Sequence, residues 1–142
     1  MIYSHCAVRI FGAQDELDAF IKAHGLTTGW FSFSTLVPTT GMDDEALLAA
    51  WGCSSGPEPL GSNPVALLPG GLALRFRCAG GPPVAWVAKV AQMNPRWHIE
   101  LSHATEATAV HGDVSYFLEI RRVNEVEGDS QATDARVDNL SQ

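Results

Sequence analysis

The side chains with the most chemical reach in this chain are three cysteines, five histidines and a handful of arginines. Cys53 sits in a turn-rich stretch, Trp51-Gly52-Cys53-Ser54-Ser55-Gly56. A cysteine attacks only as thiolate, which needs an electropositive, partly exposed setting and a base such as histidine. Cys53 is the loop candidate for that role, whereas Cys6 and Cys78 fall on the apolar side of alternating runs and read as inert buried thiols. Ser54-Ser55-Gly56 lacks the strand, Gly-x-Ser-x-Gly and helix context of a hydrolase elbow. His98, His103 and His111 could meet Cys53 in space, but no HxxxH or CxxC spacing supports a zinc site. His98 and His103 also fall on opposite faces of a regular strand. Gly70-Gly71 and Gly80-Gly81 are isolated pairs without the Gly-Lys-Ser/Thr ending of a phosphate loop. No catalytic residue, metal or cofactor is therefore assigned.

The second constellation is basic. Arg9, Arg75, Arg77 and Arg121 lie opposite the apolar alternation of their strands, together with His98, Glu100 and Glu119. In a two-layer fold that side is the open face of the sheet. Arginines there can pair with acids across strands, as Arg75 or Arg77 with Glu100 or Glu119. They can also meet a protein partner, or RNA stacked on Phe11 and Phe117. No basic-Gly-aromatic RNA-recognition motif is present. Trp51, at the mouth of the loop, can anchor either that loop or a partner, since interface hot spots favour tryptophan. The expected partner-binding set is Arg9, Arg75, Arg77, Arg121 and Trp51.

These residues need elements to place them. Cys6, Val8 and Ile10 alternate with Ala7, Arg9 and Phe11 in a strand. An amphipathic helix follows, opened by Asp15 and Glu16, with Gly25 as its C-terminal cap. The pattern predicts an extended segment over Trp30 to Val37, stopped by Pro38, and a short helix from Asp44 to about Ala50. Residues 52–71 carry five glycines and four prolines and read as a long loop. Leu72 to Cys78 is the clearest strand. Pro82-Pro83 opens an apolar helix that ends at Asn94-Pro95. Trp97 to Leu101 and Val114 to Arg121 read as two further strands, the second a single continuous run. Strand–helix–strand thus occurs twice, the split βαβ arrangement. The predicted fold is α+β: an antiparallel sheet of 4–5 strands with two main helices on one face.

The fragments Ser4-His5-Cys6 to Gly12, Phe31-Ser32-Phe33 with Pro38, Trp51-Gly52, and Phe76 followed by Pro82-Pro83 and Trp86 occur in an order that resembles the YubB-type plasmid and phage proteins. Ala50 and Cys53 depart from that family's His-Trp-Gly-Thr-like stretch. The resemblance implies a ferredoxin-like domain carried by mobile elements, and it implies no catalysis.

At 142 residues and 46% hydrophobic composition, the chain fits one domain with a real core. Residues 1–126 are expected to form it, and the polar stretch 127–142 to be a disordered tail. The net charge of −7 opposes non-specific nucleic-acid binding. No leader peptide and no apolar run near the length of a membrane span are read. Three separated cysteines suit reduced thiols in the cytoplasm. An uncovered edge strand would permit dimerisation through the sheet. The expectation is a cytoplasmic, non-enzymatic protein that binds a protein partner, inhibiting a host defence complex. The alternatives are a thiol-dependent enzyme using Cys53 and an RNA-binding module on the open sheet face.

Overall fold

The computed structural model describes residues 3–26, 30–105, 110–117 and 120–127, the last two stretches as backbone. The predicted tail lies outside the described residues, apart from Glu127. β1 (Tyr3–Phe11) leads into α1 (Gln14–Ala23), a 3-10 turn (Phe33–Thr35) and α2 (Asp44–Trp51). Two short strands follow, β2 (Glu58–Pro59) and β3 (Val65–Leu68), then β4 (Gly71–Ala79), α3 (Val84–Met93), β5 (His98–Thr105), β6 (Val110–Phe117) and β7 (Ile120–Glu127). The strands form one antiparallel sheet in the order β2-β4-β1-β5-β6-β7, with β3 also paired to β4. β3-β4-β1-β5 is the four-strand core of the ferredoxin-like arrangement. No helix among the described residues is long and apolar enough to cross a membrane.

Alternation decides which side of the sheet is dry. Cys6, Val8 and Ile10 of β1 stand level with Phe76, Leu74 and Leu72 of β4. On the other side Val8 and Ile10 stand level with Leu101 and Ile99 of β5. All of these are fully buried, as are Leu17 of α1 and Trp86 and Val87 of α3, with Phe20 and Val90 buried beside them. The α1 cap is as the sequence predicts: Gly25 takes φ +64°, and the Leu26 amide donates to the Ile21 carbonyl. Asp43 caps α2 by accepting the Ala46 amide at 2.9 Å.

Three sequence expectations are corrected. Residues 30–37 form no strand. Phe31 and Phe33 turn inward onto Phe76 and Trp86 with ring centroids 5.0–5.8 Å apart. The Ser32 hydroxyl accepts the Ser34 amide at 3.2 Å and tightens the backbone into the 3-10 turn. A serine that bonds its own backbone competes with sheet pairing. The second strand of the βαβ unit comes instead from the segment read as loop. β3 pairs with β4 through the two-residue Pro69-Gly70 turn, where Gly70 takes φ +68°. Finally, the run read as one strand over 114–121 belongs to two, with Phe117 level with Ile120. Among the described residues the sheet therefore has five long strands and two short ones, with α2 beside the two main helices.

Candidate interaction face

The face of the sheet away from the helices carries Arg9, Arg75 and Arg77. Cross-strand register sets them in neighbouring rows: Arg9 with Ala73 and Glu100, Ala7 with Arg75 and Ser102, His5 with Arg77 and Ala104. Ala7, Ala73 and Ala104 are covered, Ala7 and Ala73 completely. Small residues between the arginines let the long side chains lie flat across the strands and bury their stems.

Each outer arginine is held twice. Arg9 Nη1 donates to Glu100 Oε2 at 3.4 Å, and its guanidinium lies 5.0 Å from the Phe11 ring centroid. Arg77 Nε donates to Glu58 Oε2 at 2.7 Å, with its guanidinium 4.3 Å from the Tyr3 centroid. His98 Nε2 lies 3.3 Å from Glu100 Oε1. Arg75, half-buried between them, extends its guanidinium to Gly61. The Arg9 and Arg77 side chains keep 31% and 41% of their surface exposed. Exposed ion pairs of this kind contribute little to stability. Their effect is to fix where the cations point.

Arg121 does not join this set by register. It stands level with Tyr116, which stands level with Ile99, a residue of the helix-covered side. Arg122 stands instead in the row of Ser115 and Glu100. The antiparallel pairing of β6 with β7 reverses the parity that a single strand would have kept. The Glu119 side chain and the Phe117 ring lie outside the described residues. Trp51 is corrected as well: it is buried against Phe33, and its indole donates to the Val37 carbonyl at 3.1 Å. It ties the segment after the 3-10 turn to α2, the anchoring role of the two read for it from the sequence.

The thiols are equally withdrawn. Cys6, Cys53 and Cys78 are free, fully buried and brought together where β1, β4 and the strand-free segment after α2 meet. The Ser54 amide donates to the Ala79 carbonyl at 2.8 Å and seats Cys53 beside Cys78. Cys53 Sγ donates to the Ser55 carbonyl, and Cys78 Sγ to the Gly81 carbonyl. The bond with the Cys78 thiol, and then burial, push Cys53 far above an ordinary thiol. For Cys78 the bond with Cys53 works downward, but Cys6 and burial carry the balance upward. His103, level with Cys6 on the covered side, is buried too, whereas His98 lies on the open face level with Phe11. Among the described residues no group of His, Cys, Asp and Glu is placed to hold a metal ion.

Sequence reasoning missed two partners of the arginines. Tyr3 lies at the entry of β1, and Glu58 lies within the segment read as loop. The parity of Tyr3 with His5 and Arg9 is the signal that would have placed it on this face. No family model matches the chain, and neither a curated protein nor a solved structure matches it.

Proposed function

We propose that this chain is a non-enzymatic binding protein that acts by protein–protein contact, and that its contact face is the arginine-bearing side of the sheet. The observation that carries this reading is the double restraint on Arg9 and Arg77, each between a carboxylate and an aromatic ring. Side chains fixed before contact lose less conformational entropy on binding, and arginine beside an aromatic ring is favoured at interface centres. Glu58 and Glu100 neutralise part of the positive charge, and the whole chain is at −7, so a phosphate backbone is a poor match. The raised, buried thiols speak against the rival in which Cys53 is a nucleophile. Three free cysteines fit a reducing compartment, which supports a cytoplasmic setting. That the contact blocks a host defence complex on behalf of a plasmid or phage belongs to the same proposal. It rests on the YubB-type resemblance.

The test is an affinity capture from host lysate with washes at low and high salt, identifying both protein and nucleic acid. A stoichiometric protein that survives high salt is the expected result. Recovery of only salt-labile nucleic acid would replace this reading with the RNA-binding one.

A further inference from the structure

On the opposite side of the sheet, α3 packs against α2 and β5 but scarcely touches α1. The gap between α1 and α3 is a cleft of about 430 Å³, lined by Glu16, Phe20, His24, Leu36, Val90 and Trp97 among others. That volume falls in the range of small-molecule sites, roughly 300–1,000 Å³. Its wall is aromatic: His24 stacks on Phe20 at 4.2 Å between ring centroids, and Phe20 meets the edge of Trp97 at 5.5 Å. His24 is only 8% exposed, and its Nδ1 is buried with no hydrogen-bond partner. Glu16 is the one carboxylate among the described lining residues, which include no Lys or Arg.

We infer that this cleft is a binding site for a small aromatic molecule that is neutral or cationic and carries a hydrogen-bonding group. The aromatic wall takes the ring. His24 lines the cleft and offers the polar contact through Nε2, since its Nδ1 is sealed from the surface; burial holds its imidazole below its ordinary value, so the ring is neutral. Glu16, with no Lys or Arg among the described lining residues, favours a positive ligand over a negative one. The site is independent of the arginine face and does not rest on that reading.

The experiment is an amide NMR titration of the full chain with tryptamine and, separately, with indole-3-acetate, two probes that share a ring and differ in charge. Tryptamine is expected to shift Glu16, Ala23, His24 and Val90. Its affinity should exceed that of indole-3-acetate by about tenfold, the effect of one exposed carboxylate attracting one probe and repelling the other. Glu16→Gln should remove that preference. Ala23 is exposed on α1 and lines the cleft, so Ala23→Leu fills it with a good helix former and should abolish binding without lowering the melting temperature. The Arg9→Glu/Arg77→Glu double variant should bind tryptamine as the parent chain does. Absence of shifts at millimolar probe, shifts confined to residues elsewhere, or unchanged binding in Ala23→Leu would overturn the inference. Equal affinity for the two probes would overturn its charge preference.

Discussion

Forming a thiolate at Cys53 would place a charge in a fully buried site, against the neighbouring Cys78 thiol. Iodoacetamide at neutral pH should therefore label all three cysteines slowly in the folded protein and quickly in denaturant. Rapid labelling of Cys53 in the native state would contradict the burial described above. His24 titrates in the opposite sense to a paired histidine. Burial lowers its value in the folded state from the ordinary 6.5, so the unfolded chain binds the proton more readily. Its stabilising contribution is then present above that pH and is lost as pH falls below it. The melting temperature should decline as pH drops from about 7 to about 5, and His24→Phe, which keeps the ring between Phe20 and Trp86, should flatten the decline. An equal slope in parent and variant would assign the pH dependence to other groups.

At the scale of elements, Gly52 is the junction that holds the core's second half together. It ends α2 with φ +93°, and a Cβ there would come within 2.8 Å of the Pro82 carbonyl oxygen and the Val84 amide. Gly52→Ala combines a left-handed backbone with a backbone clash and should destabilise by at least about 1 kcal/mol in chemical denaturation. A neutral result would mean that the approach of α2 to the start of α3 is looser than described. The flanking elements show which signals a sequence carries. β1, β4 and α3 are legible because the spacing of their large apolar residues matches the backbone period, while the other face of each strand carries arginines and small alanines. Residues 30–37 mislead because Phe-Ser-Phe-Ser alternates like a strand while its serines close a local turn and its phenylalanines enter the aromatic core. β3 is hidden in four residues among glycines and prolines, and only its pairing with β4 makes it a strand. Arg121 was misplaced for a related reason: reading 114–121 as one strand, where β6 pairs antiparallel with β7, inverts the face of each residue from Ile120 onward.

Seen as a whole, the molecule divides its chemistry between the two sides of one sheet. The helix side holds the aromatic core, the thiols and the cleft beside His24. The other side holds Arg9, Arg75 and Arg77 over a floor of buried alanines. The sequence pattern gave three of the four arginines their correct side, since strand parity is a local property. It anticipated ion pairs across strands but set Arg75 or Arg77 against Glu100, which Arg9 meets, and it missed Glu58, which Arg77 meets. If contact is the function, reversing charge on this face should erase it while leaving the fold intact, because Arg9 and Arg77 are partly exposed and their ion pairs contribute little stability. The most direct measurement is therefore a quantitative capture comparing the parent chain with Arg9→Glu/Arg77→Glu, matched for melting temperature, at high salt. The account predicts a stoichiometric protein partner on the parent chain and its loss on the double variant. Equal retention of that partner on both would contradict it.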